Sequence, residues 1–169
     1  YIGRRDLNTI LVRRSESVEV RLPHQANGEY AIVHARENYN NEPSVYSFVA
    51  FEDDSSNGRV EYGQVKSLFT LRRNQEDCSA VTYAFIRVLS IDSRNSNEVL
   101  LEHGTAANTF KIFKWNKSEK GRTDFKVVQA NKILNLFRVS NFKSSEIYGH
   151  VNDDDDNVDV DVLLANFFS

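Results

Sequence analysis

The sequence predicts a mainly β protein, an antiparallel, partly open bent sheet or distorted barrel with one or two short helices. Three observations carry this expectation. Two neighbouring runs, 59–71 and 80–91, are rich in β-branched and aromatic residues and contain no proline. The remaining chain breaks into short apolar runs separated by stretches rich in Asn, Ser, Gly and Lys. Only two segments space their apolar residues as a helix would.

In chain order, residues 9–12 and 18–22 read as strands, the second because Val18, Val20 and Leu22 alternate with charged residues before Pro23 ends it. Residues 30–35 form another, followed by a loop at 38–43. Residues 45–51 and 60–71 flank the turn-rich stretch 52–58, Glu-Asp-Asp-Ser-Ser-Asn-Gly, and should pair as an antiparallel hairpin. Apolar parity slips across Gly63, from Val60 and Tyr62 to Val65, Phe69 and Leu71, which predicts a β-bulge there. In the run 80–91, Val81, Tyr83, Phe85 and Leu89 share one parity and Ala84, Ile86 and Val88 the other, so both faces should be covered, as in a central strand. Residues 99–101, 110–115 and 125–128 supply three shorter strands. Asn131 should cap a helical turn carrying Ile133, Leu134 and Phe137, and a C-terminal helix over 161–168 should align Leu163, Leu164, Phe167 and Phe168 after an acidic loop at 152–159.

A length of 169 residues suits a single β-rich domain with a sizeable core, and 40% hydrophobic with 27% charged residues is an ordinary soluble composition. No apolar run approaches the roughly 20 residues a membrane helix needs. A single cysteine, Cys78, and a start without a signal-peptide pattern suggest an intracellular protein, and the lack of any methionine suggests a fragment of a larger one. The net charge of −3 conceals a strong asymmetry: residues 110–143 carry +7 and residues 144–169 carry −7, the latter centred on Asp153-Asp154-Asp155-Asp156 with Asp159 and Asp161.

The order of Tyr62-Gly63-Gln64-Val65-Lys66-Ser67-Leu68-Phe69, then Tyr83-Ala-Phe-Ile-Arg-Val-Leu89, then the segment from Phe125 to Phe137 resembles the bromo-adjacent homology (BAH) domain. It is also similar to the β-rich region of some transposase-like proteins. The resemblance spans roughly residues 45 to 140 and implies a distorted β-barrel used for recognition in a nuclear, chromatin- or transposon-associated protein. Where many BAH domains place aromatics after the arginine of the long strand, this chain has Arg87-Val-Leu-Ser-Ile91, which argues against a methyl-lysine cage there. By analogy with the BAH arrangement, Tyr46, Glu52, Asp53, Tyr62, Tyr83 and Trp115 would receive a basic, histone-like peptide, since aromatic faces and carboxylates suit lysine and arginine.

Other chemistries find little footing. His24, His34, His103 and His150 lack metal-ligand spacing and Cys78 has no partner cysteine, so neither a metal nor another cofactor is expected. From Asp153 the EF-hand pattern fails at Val158 and Leu164, where glycine and glutamate belong. With neither G-x-G-x-x-G nor a P-loop and no evident small-molecule site, the chain reads as a non-catalytic protein-interaction module. The alternative is nucleic-acid binding through Lys111, Lys114, Trp115, Lys117, Lys120, Arg122 and Lys126, because aromatics interleaved with cations can stack bases while meeting phosphates. A half-buried strand with lysines outward and aromatics inward produces the same pattern.

Overall fold

A computed structural model describes residues 10–23, 28–38, 40–72, 80–91, 110–116, 120–148 and 161–166. The chain is mainly antiparallel β, and the described residues form eleven strands, β1 (Leu11–Ser15), β2 (Ser17–Arg21), β3 (Tyr30–Arg36), β4 (Val45–Tyr46), β5 (Phe48–Glu52), β6 (Val60–Arg72), β7 (Val81–Ile91), β8 (Phe110–Trp115), β9 (Phe125–Gln129), β10 (Ile133–Lys143) and β11 (Asp161–Asn166). One short helix, α1 (Ser144–Tyr148), follows β10. The chain divides into two compact units, the first comprising residues 1–88 and 124–136, the second residues 89–123 and 137–169.

In unit 1 the expected hairpin is present. β5 and β6 pair from Phe48 with Gln64 to Glu52 with Val60. A 3-10 turn, Asp54–Ser56, joins them; Asp53 caps it by accepting from the Ser55 amide, and Asn57 closes it in the left-handed region. β1 takes up the far half of β6, Leu11 opposite Arg72 and Ser15 opposite Leu68. β7 pairs with β6 and, through Tyr83 to Arg87, with β9. A second sheet, β2-β3-β4, lays Val20, Val33 and Ala35 against Val49, Phe51, Val65, Leu68, Ile86 and Val128. Each large apolar side chain buried there contributes about 1.5–3 kcal/mol.

Gly63 does not make the expected bulge. The β5–β6 register runs through it unbroken, Val49 opposite Gly63. A Cβ at Gly63 would lie 2.6 Å from the Arg87 carbonyl oxygen and closer still to Ile86 Cγ2, so the glycine permits close approach of β7. The change of face comes later: Gly63, Val65 and Leu68 are buried, placing it between Val65 and Leu68 where β6 leaves β5 and meets β1.

Unit 2 holds a ladder in which β11 lies between β10 and β8, Ala165 opposite both Val139 and Lys111. The end of β7 joins β8, Leu89 opposite Trp115. Phe113 and Phe137 stack in its interior at 5.9 Å. Both helical expectations fail here or at its border. Residues 161–166 form a strand, because a short apolar run satisfies either period and two flanking strands supply its hydrogen bonds. Asn131 caps no helix; it lies in a 3-10 turn, Ala130–Lys132, after which Ile133, Leu134 and Phe137 continue as β10. The α-helix found among the described residues, α1, has Glu146 accepting from the Lys143 amide at its start. Cys78, the run 99–101, the acidic loop, Phe167 and Phe168 lie outside the described residues.

Candidate functional site

The second face of β7 is covered only in part: Leu89 is buried in unit 2, but the stretch of that face in unit 1 is not. Ala84, Ile86 and Val88 point into the core of unit 1, whereas Tyr83, Phe85 and Arg87 are half-buried and Val81 is 37% exposed on the opposite face. Cross-strand partners share a face, which extends this surface across four strands. Val12 stands opposite Leu71 and Arg14 opposite Phe69. Phe69 stacks on Tyr83 with ring centroids 5.7 Å apart, and Phe85 stacks on Phe125 at 4.7 Å. Val127, opposite Phe85, is 54% exposed and Val12 is 65% exposed. Unit 1 therefore carries a continuous aromatic and aliphatic sheet face turned away from its core.

A cationic group borders this face. Arg14 pairs with Glu37 at 2.9 Å. Lys66 holds its ammonium 3.9 Å from the centre of the Tyr46 ring and 3.4 Å from Gln64 Oε1. Burial, then the charge of Arg87, lowers the Lys66 pKa from its ordinary value, against an opposing pull from Glu37. Burial likewise lowers that of Arg87.

The residues expected to receive a basic peptide are mostly engaged within the chain. Asp53 caps the 3-10 turn and pairs with Lys126 at 2.8 Å, and hydrogen bonds from Lys126 and then from Ser55 depress its pKa to about 2. The same ammonium pairs with Glu61 at 2.8 Å. Burial opposes the Lys126 charge, but its two carboxylates outweigh that and raise its pKa. Tyr46 is capped by Lys66, and Tyr83 is stacked on Phe69. Glu52 ends β5 and Tyr62 sits half-buried on β6. Trp115 belongs to β8 of unit 2, so Tyr46, Glu52, Asp53, Tyr62 and Tyr83 are the five that fall in unit 1.

The nucleic-acid set is divided too. Lys126 lies in unit 1 between its two carboxylates, which spend its charge internally. Lys111 and Lys114 are three apart on β8 and so leave opposite faces of the strand, with Ile112 and Phe113 between them fully buried. The simple arrangement of lysines out and aromatics in is therefore absent from β8. Lys114, Lys120 and Arg122 are exposed. Lys117 lies outside the described residues.

Sequence reasoning missed Phe69, Phe85, Phe125, Val127, Lys66 and Arg87 as a surface. The signal was the apolar parity of β7 opposite Ala84, Ile86 and Val88, read as a second buried face. A separate groove of about 340 Å³ between β2, the start of β7 and the end of β9 has one ionisable lining residue, Glu19, too few for paired acid–base chemistry. Among the described residues no three His, Cys, Asp or Glu side chains are grouped to hold a metal ion, and no helix is long and apolar enough to cross a membrane. No protein-family model, curated protein or solved structure matches the chain.

Proposed function

We propose that this chain is a non-catalytic protein-interaction module that holds a partner on the outer face of the β1-β6-β7-β9 sheet of unit 1. The observation that carries the reading is the continuity of that face, on which Val12, Val81, Phe125 and Val127 are all exposed. Contiguous apolar surface of this kind, bordered by polar groups, is characteristic of docking sites. The chromatin- or transposon-associated, nuclear setting rests on the BAH-like strand order alone. A basic, histone-like peptide would have to displace Lys126 from Asp53 and Glu61 and Lys66 from Tyr46. Arg14 is already paired with Glu37, so the positive charge bordering the face comes from Lys66 and Arg87, which suit a partner of opposite charge better.

A panel of acidic, neutral and histone-tail peptides, titrated against the full chain and against a Phe85→Ser, Val127→Ser variant, tests this. Binding that is lost in the variant supports the face; binding that survives it removes the face from the reading. Exposure of Lys114, Lys120 and Arg122 keeps nucleic-acid binding as a second reading. That reading expects oligonucleotide affinity to fall steeply with salt and to vanish when these three become glutamate. Salt-independent retention would exclude it.

A further inference from the structure

Among the described residues the same sheet ends in two edge strands, β1 and β9, and the apolar outer face reaches its edge along β9. Among the described residues β9 has one strand neighbour, β7. The Val88 amide donates to the Asp124 carbonyl at 3.0 Å just before the paired stretch in which Arg87 faces Phe125 and Phe85 faces Val127. Hydrogen-bonded and non-hydrogen-bonded pairs alternate along an antiparallel ladder. Continued from Val88 and Asp124, the alternation turns the backbone groups of Lys126 and Val128 toward β7 and those of Phe125, Val127 and Gln129 away from it. These same three residues carry exposed side chains on the outer face, Phe125 at 41%. Edge strands are ordinarily protected by an outward charge, often lysine. The lysine of β9 is Lys126, on the other face and held by Asp53 and Glu61. Among the described residues the edge is thus backbone-open, apolar on its outer side and without a guarding charge there.

Two observations select the occupant. The ring pairs Phe69–Tyr83 and Phe85–Phe125 are stacked within 16° and 8° of parallel, so each ring spends one face on its neighbour, which suits apolar side chains better than intercalating bases. Arg87, opposite Phe125, supplies positive charge along the same surface, and Lys66, its ammonium over the Tyr46 ring, adds a second cation at its border. We propose that the partner is an acidic, apolar peptide segment that adds to β9 as a further strand. Its backbone bonds to Phe125, Val127 and Gln129, its alternate apolar side chains lie on Phe125 and Val127, and a carboxylate approaches Arg87. The inference rests on the protein-interaction reading above and specifies its mode.

Panning random dodecapeptides displayed on phage against the full chain, followed by fluorescence anisotropy with the selected peptides, tests it. Sequences alternating apolar residues with Asp or Glu are expected. Gln129→Pro should weaken them at least about tenfold, because proline deletes an outward donor at a position whose φ is already −66°, with little change in melting temperature. Val127→Pro removes the neighbouring outward donor and provides the second variant should either fold poorly. Unchanged affinity in both proline variants, with binding lost in Phe85→Ser, overturns strand addition while the docking face stands. Unchanged affinity in all three overturns both. Selection of Lys- or Arg-rich peptides overturns the acidic occupant, as does self-association through β9 in sedimentation with no peptide selected.

Discussion

Lys126 shows how one residue can be misassigned when its neighbours in space are unknown. In sequence it extends a basic stretch; in the fold its ammonium bridges Asp53 and Glu61, both half-buried, and ties the β5–β6 hairpin to β9. The Asp53 carboxyl falls from 3.8 to about 2, so its contribution is fully present above pH 4 and is lost as pH falls through about 2. After solvent screening this is about 1 kcal/mol. Lys126 has the opposite sign: its pKa is raised above 10.5, and its contribution is lost as pH climbs past that value. Urea midpoints should therefore decline toward both extremes. Lys126→Ala should cost about 1–3 kcal/mol by leaving two carboxylates without their cation, and should flatten the acid limb of that profile. At Gly63 the constraint is steric. Gly63→Ala forces a Cβ to 2.6 Å from the Arg87 carbonyl oxygen and should destabilise by about 3 kcal/mol, read as a lower urea midpoint at unchanged slope.

Among the elements, β11 is the most instructive. Residues 161–166 hold Val162, Leu163, Leu164 and Ala165 in succession, a run compatible with either a helix or a buried strand. β10 and β8 decide between them by offering ladders on both sides. Val162, Leu163 and Ala165 are consequently buried. Leu163→Pro should therefore cost about 3 kcal/mol or more by removing a ladder hydrogen bond. Hydrogen exchange should find the amides of β11 among the protected ones; rapid exchange there would contradict the strand. The β5–β6 hairpin was legible because its turn carries Asp-Asp-Ser-Ser-Asn-Gly, residues that cap and accept left-handed conformations. No such chemistry marks β11 or β10.

For the molecule as a whole, β7 and β10 each continue from one unit into the other, at residues 88–89 and 136–137. Unfolding either unit alone would have to break a strand in mid-length. Thermal unfolding followed by far-ultraviolet circular dichroism, which reports both units, should share its midpoint with the fluorescence of Trp115, the single tryptophan, which reports unit 2. Two separate midpoints would show that the units melt independently.

Local chemistry in the sequence determined the β class, the hairpin and most strand positions, because alternation, β-branching and turn residues act between neighbours along the chain. The tertiary structure alone decided whether the second apolar parity of β7 was core or surface, since that depends on whether another layer covers it. It likewise decided that Lys126 would pair with Asp53 and Glu61, 73 and 65 residues away along the chain, and that Tyr46 would be capped by Lys66. A charge or an aromatic ring is available to a partner only when the fold leaves it unsatisfied, and satisfaction is a property of distances that residue order does not contain.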